Sequence, residues 1–277
     1  MKKFKVGIQL YSLRDEMEKD MDATLKAVKE MGYDCVEFAG YFGRSAEEVR
    51  AMLDKYGLEC VSVHQTPSLF VEEGQKAVDY LKTIGAKYAA IPWYDADKLA
   101  GTPEWENTVE MFKQTGKLLA DNGIQQLYHN HDFEFKKVDG KFLLDWLYET
   151  LPQEYLQPQV DTCWVHYAGY NPSEYLEKYS GRIKVVHLKD FVCKNLGGGP
   201  VYALISEDGG EETGATQEEN GFEFRPVGHG IQDIPAIIAS AEKAGAEILI
   251  VEQDESPDRS PMESAKMSRE YLKSIGL

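Results

Sequence analysis

Eight times along this chain a short run of β-type residues is followed by a longer stretch with helical periodicity. This alternation constrains the fold more than any other feature, because strands separated by helices of this length pair in parallel. The strand-like runs are KVGIQLY (Lys5–Tyr11), CVEFAG, LECVSVH, YAAIPW, IQQLYHNH, LQPQVD, IKVVHLKD and EILIVEQD. Helices are expected near Asp20–Met31, Ser45–Tyr56, Val71–Ile84, Pro103–Asp121, Phe142–Thr150, Pro172–Tyr179, Ile231–Ala244 and Ser260–Ile275. In the first helix Met21, Leu25, Val28 and Met31 recur at helical spacing and Gly32 supplies the stop. Ser45 followed three residues later by Glu48 is a capping-box pattern, and Gly57 closes that helix. Eight such units within 277 residues predict one closed (β/α)8 barrel domain spanning residues 1–277. The rival, an open doubly wound sheet, usually carries a Gly-rich phosphate turn after its first strand, and that position here reads YSLRDE.

Charge narrows the partners. A formal net charge of −17 repels phosphates, so nucleic acid and anionic membrane surfaces are not expected partners. The N-terminal apolar run is broken by Lys5 and Gln9, too short for a signal segment or a membrane span. Four scattered cysteines without CxxC spacing fit a reducing, cytoplasmic setting. Whether apolar helix faces serve the core or a homo-oligomer is left open. One segment breaks the rhythm: residues 191–227 form a long connection between the seventh strand and its helix. Its middle, with Glu207, Asp208, Glu211, Glu212, Glu218 and Glu219, reads as a solvated surface excursion. Its ends, near Phe191 and Phe222–Arg225, are the better candidates for a lid.

In a barrel of this kind the site lies at the C-terminal ends of the strands. Each strand ends in polar or aromatic residues: Gln9 and Tyr11, Glu37, His64 and Gln65, Trp93 and Tyr94, His129 and His131, Asp161, His187 with Lys189 and Asp190, and Glu252 with Asp254. All six histidines fall at a strand end or in a strand-to-helix connection, and none in an expected helix. By the two-residue period of a strand, His129 and His131 share one face, as do His187 and Lys189. Singly each has an ordinary explanation, such as a capping Asp or a hydrogen-bonded His. Jointly, Asp161, His187 and Glu252 offer one imidazole and two carboxylates from adjacent strands, a mixed donor set suited to Mn²⁺, Mg²⁺, Fe²⁺, Co²⁺ or Zn²⁺. A fourth ligand would come from the fifth strand.

The run from GIQLYSLRD through IQQLYHNHDFEF, QVDTCWVHYAG, KVVHLKD and LIVEQD resembles the sugar phosphate isomerase/epimerase family of xylose-isomerase-like barrels, which are related to endonuclease IV. The resemblance covers nearly the whole chain. It implies a divalent metal ion held by Glu, Asp, His and Glu from strands five to eight, the last three matching Asp161, His187 and Glu252. The strand-five motif departs from the family's Glu-Asn-His: here it reads His129-Asn130-His131, so His129 stands where a carboxylate is expected. His129, Glu134 or water could complete the shell. The Tyr-His-Asn-His pattern resembles inosose dehydratases and enzymes of 3-keto-glycosides more than aldose–ketose isomerases. Trp164 stands where many relatives carry a second His.

The expected chemistry is proton abstraction next to a carbonyl of a small carbohydrate, through an enediolate that a metal stabilises. His131 and Glu134 are the candidate bases and Lys189 the candidate oxyanion partner. Trp93 and Trp164 could stack on the sugar, and Glu37 and His64 could bind its hydroxyls or support the site from behind. Isomerase or epimerase ranks first, a dehydratase or lyase on an inosose or 3-keto-glycoside second. A non-catalytic sugar-binding subunit is the alternative from another class. No Gly-rich loop opens a helix beside a basic cluster, so a non-phosphorylated sugar or cyclitol is expected.

Overall fold

The computed structural model describes residues 4–197 and 220–277. Eight parallel strands close into a barrel: β1 Lys5–Gln9, β2 Cys35–Phe38, β3 Glu59–His64, β4 Tyr88–Ile91, β5 Gln125–His129, β6 Gln157–Asp161, β7 Val185–Leu188 and β8 Ile248–Val251. Chain order is the order around the ring, with β8 pairing back on β1 through Lys5↔Ile248 to Ile8↔Val251. Helices cover the outside, and this is the (β/α)8 barrel the alternation predicts.

Strand parity sorts the side chains. One set of residues, among them Val36, Phe38, Tyr128, Val160, Val186 and Leu249, faces outward and joins the core between strands and helices. The other set fills the barrel floor with Cys35, Val61, Ala90, Leu127, Val185, Ile248 and Ile250. Val61 is an extra residue: Val36 pairs with Cys60 but Glu37 with Ser62, so β3 bulges there. Gly7 stands on this floor because a Cβ there would lie 2.6 Å from Ile250 Cδ1 and 3.0 Å from the Cys35 carbonyl. Two residues further along the inward faces of β2, β5, β7 and β8 the apolar floor gives way to Glu37, His129, His187 and Glu252.

Several local features differ from the sequence reading. The expected helix Val71–Ile84 is two, Pro67–Glu73 and Gln75–Ile84, because Gly74 takes φ 55°, ψ −126° and breaks the hydrogen-bond ladder. Short helices Arg14–Lys19 and Thr162–Tyr167 appear inside connections read as loops. His166 therefore lies in a helix, though one that immediately follows β6. Among the described residues no helix is long and apolar enough to cross a membrane.

The acidic middle of the 191–227 connection lies outside the described residues. Its two ends pair as an antiparallel hairpin, Asp190–Val192 with Glu223–Arg225. Asp190 clamps the base: its carboxylate accepts N–H bonds from Phe191 (2.9 Å), Gly228 (3.0 Å), Gly230 (2.9 Å) and Gln232 (3.1 Å). A Cβ on Gly230 would meet Asp190 Oδ1 at 2.2 Å, so only glycine admits this approach. The clamp uses the N–H groups of residues 228–232, and the following helix starts only at Ile234, capped by Asp233.

Candidate metal centre and active site

His129, Asp161, His187 and Glu252 come from β5, β6, β7 and the end of β8, and all are buried. Their ligand-type atoms lie within 4.8 Å of one another. His129 Nε2 is 3.7 Å from Asp161 Oδ2 and 3.9 Å from Glu252 Oε2. His187 Nδ1 is 3.0 Å from that same Glu252 oxygen. Asp161 divides its carboxylate: Oδ1 caps the next helix through the N–H groups of Cys163 (2.8 Å) and Trp164 (3.3 Å). Oδ2 accepts no hydrogen bond and faces the cluster, with Lys189 Nζ 3.4 Å away. Two imidazoles and two carboxylates with a bare carboxylate oxygen among them fit a divalent transition ion. His129 brings the fourth ligand-type atom into this cluster.

Lys189, on the strand-like continuation of β7, adds a cation, with Nζ 2.9 Å from Glu252 Oε2 and 3.0 Å from Asp254 Oδ2. Electrostatics follow from burial and these contacts. Burial pushes the Asp161 carboxyl up to about 6 despite Lys189 nearby. Burial opposes the charged form of Glu252 too, but Lys189 and His187 overcome it and hold that group well below the carboxylate range. His187 would lose its proton on burial alone, yet Glu37 and Glu252 on either side hold it up at about 10. Burial, then the His187 charge, keeps His129 neutral; burial, then Lys189, does the same for His131.

Other expected site residues go elsewhere, in whole or in part. Glu134 does not join the cluster. After His129 the chain turns into a 3₁₀ segment, Phe133–Phe135. This carries the Glu134 carboxylate behind β5, where it accepts from Tyr128 Oη (2.8 Å) and the His131 N–H (2.7 Å). Trp164 has no exposed surface: Phe222 stacks 5.8 Å away at 10°, and Lys189 Nζ lies 5.2 Å from its ring centre. Phe222 and Phe224, at the far end of the long connection, cover it, so it backs the cluster and offers no open platform. Trp93 is 41% exposed and packs edge-on against His131, with ring centres 4.7 Å apart. Glu37 is fully buried and accepts from Gln9 Nε2 (2.8 Å), His187 Nε2 (2.7 Å) and Gln159 Nε2 (2.6 Å), with His64 Nε2 at 3.0 Å. Those donors occupy both of its oxygens beneath the cluster. Burial raises its pKa, but His64 and His187 outweigh that and keep it ionised. His64 is tied to this hub and to Gln159 Oε1 at 2.9 Å. Gln159 was missed by sequence reasoning. Its signal was its position two residues before Asp161 on β6, a polar residue on the inward face.

Burial raises Glu134 to about 8 from an ordinary 4.5. A carboxyl whose folded pKa is raised contributes stability below its unfolded pKa and loses it as the pH climbs through the folded one. The melting temperature should therefore fall between about pH 5 and pH 8. Glu134→Gln mimics the protonated acid, with its carbonyl accepting from His131 N–H and its amide donating to Tyr128 Oη, so that slope should flatten. An unchanged slope in thermal melts of the variant would place the titration elsewhere.

A closed barrel with a cluster of this composition at the strand ends defines a class. Residues 25–275 match the xylose isomerase-like TIM barrel family, and the chain belongs to it. Among curated relatives, inosose dehydratase of Geobacillus kaustophilus (strain HTA426) is 28% identical over 191 residues, covering 61% of this chain and 61% of that protein. Inosose dehydratase of Clostridium botulinum (strain Alaska E43 / Type E3) is 24% identical over 90% of this chain and 88% of its own length. The fold is shared with a solved sugar phosphate isomerase/epimerase from Parabacteroides distasonis ATCC 8503, at TM-score 0.77 and 22% identity over 99% of this chain and 94% of that one. It is shared also with an IolI protein described with a binding zinc atom, at TM-score 0.69 and 14% identity over 98% and 97% of the two chains.

Proposed function

We propose that this protein is a divalent-metal-dependent enzyme that removes a proton next to a carbonyl of a non-phosphorylated keto-sugar or cyclitol and then expels a β-substituent. The observation that carries the reading is the set of four buried ligand atoms within 4.8 Å, with Lys189 beside it and His131 between it and the exposed Trp93. His129, Asp161, His187 and Glu252 would hold the ion, which supplies Lewis-acid polarisation of the substrate carbonyl and an adjacent hydroxyl. His131 is neutral, its ring centre 5.3 Å from that of His129, and it accepts the carbon-bound proton. The C–H electron pair moves into the carbonyl, and Lys189 Nζ donates a hydrogen bond to the oxygen that gains charge. As that charge returns, the bond to the β-hydroxyl breaks, and the proton held by His131 leaves with it as water.

Isomerisation or epimerisation ranks first on sequence alone. Elimination moves ahead of it because the relatives aligned over most of their length carry the name inosose dehydratase. Reprotonation of the same intermediate remains the second reading, supported by neighbours described as sugar phosphate isomerase/epimerases. The test is a panel of keto-cyclitols and keto-sugars incubated in D₂O with Mn²⁺-loaded protein, followed by NMR. Solvent deuterium next to the carbonyl together with a dehydrated product supports elimination. Deuterium with an isomer or epimer as product moves the assignment to the second reading. No deuterium and no product across the panel would overturn the carbanion mechanism.

A further inference from the structure

The hub beneath the cluster has a directionality that sets the protonation pattern of its histidines. Glu37 Oε1 and Oε2 take Gln9 Nε2 and Gln159 Nε2, amide nitrogens that can only donate, and His187 Nε2 and His64 Nε2 point at the same Oε1. Gln159 Nε2 is one of these, at 2.6 Å, which fixes the orientation of its amide and turns Oε1 the other way. That oxygen faces His129 Nδ1 at 3.2 Å and His64 Nε2 at 2.9 Å, and an amide oxygen also only accepts. A His129 ring with a single proton therefore carries it on Nδ1, against the Gln159 oxygen, leaving Nε2 bare toward Asp161 and Glu252. On the other side of the ring of strands, His187 Nε2 donates to Glu37 at 2.7 Å, so its Nδ1 is the nitrogen turned to Glu252 and the cluster. Two histidines use opposite nitrogens, and one carboxylate dictates both, directly for His187 and through Gln159 for His129.

We propose that Glu37 and Gln159 are positioning residues that fix which ring nitrogen His129 and His187 each present to a metal ion. This rests on the metal-centre reading above. It also accounts for how a histidine can serve in place of a carboxylate: a carboxylate oxygen needs no tautomer, whereas His129 works only if its other nitrogen has an acceptor, and Gln159 is that acceptor.

The relay makes an unusual demand. In Glu37→Gln the new carbonyl keeps the donors Gln9 and His187, and the new amide points at Gln159. Gln159 must then turn its own carbonyl to that amide and its NH₂ to His129 and His64, whose Nδ1 and Nε2 respectively become acceptors. The His129 proton moves to Nε2, although no hydrogen bond joins Glu37 and His129 among the described residues.

Long-range ¹H–¹⁵N correlation spectra of the histidine rings read this directly, and six histidines make the assignment tractable. In metal-free wild-type protein His129 should be protonated on Nδ1. With Zn²⁺ bound, His129 should ligate through Nε2 and His187 through Nδ1. In Glu37→Gln, His129 should switch to the Nε2–H form. Gln159→Leu, which adds no charge, is the second variant: His129 should show both tautomers and Zn²⁺ affinity should drop about 10- to 100-fold by calorimetry. Nε2–H at His129 in the wild type, no switch in a folded Glu37→Gln, or unchanged affinity in Gln159→Leu would each overturn the proposal. Nδ1–H at His129 with no Zn²⁺ binding would support the tautomer assignment and overturn the metal-centre reading instead.

Discussion

Asp161→Asn should leave a folded protein that no longer holds its metal ion. The substitution separates the two oxygens of one carboxylate. The retained Oδ1 still caps the helix Thr162–Tyr167 through the Cys163 and Trp164 N–H groups, so the fold loses little. Oδ2, the bare oxygen facing His129 and Lys189, becomes an NH₂ that cannot ligate. Residues that merely orient metal ligands typically cost 10- to 100-fold in affinity, so losing a ligand should cost more than about 100-fold. Calorimetric titration with Mn²⁺ measures this, and deuterium uptake by substrate should vanish with it. Asp161→Ala removes the cap as well and should add a fall in the melting temperature of the metal-free protein. Retention of Mn²⁺ affinity by Asp161→Asn would show that the ion sits elsewhere.

The second large effect is expected at His131. His131→Gln should reduce deuterium uptake by about 10²- to 10⁴-fold, the usual contribution of a positioned general base, while Mn²⁺ affinity stays within about twofold. The distinction rests on geometry. The His131 ring lies outside the four-residue ligand cluster, among Trp93, Phe133 and Trp164. Its backbone N–H donates to Glu134, and the substitution leaves that bond in place. Loss of metal together with activity would mean that His131 ligates. Unchanged exchange would shift the base to Lys189, the remaining proton carrier beside Glu252.

The barrel was legible because it is written in local patterns: capped helices such as Ala46–Tyr56 with Ser45 and Glu48, strands of five or so residues, and glycine stops. The four clustered residues were legible for a related reason. A strand's C-terminal end and its two-residue period together fix where Asp161 or His187 points, without knowledge of its neighbours. What stayed open or went astray depended on partners outside the local pattern. Glu37 belongs to a hub because residues 122 and 150 positions away donate to it. Trp164 looked like an open aromatic surface until Phe222, from beyond the long connection, closed over it. Glu134, offered as a possible ligand or base, is held away from the cluster because the chain turns after β5 into the 3₁₀ segment Phe133–Phe135, which brings its carboxylate to Tyr128 behind the strand.

The hub also bears on how the barrel holds together as a whole. Gln9, Glu37 and His64 come from the first four strands, Gln159 and His187 from the last four. Each half-barrel alone would therefore carry half of a polar network: an ionised carboxylate on one side, orphaned imidazole and amide donors on the other, all lining an apolar floor. Neither half can satisfy these groups without the other, and an unsatisfied buried network is worse than none. The groups that prepare the site for chemistry thus also weld the two halves into one cooperative unit, in which assembling the ring and organising the active site are the same event.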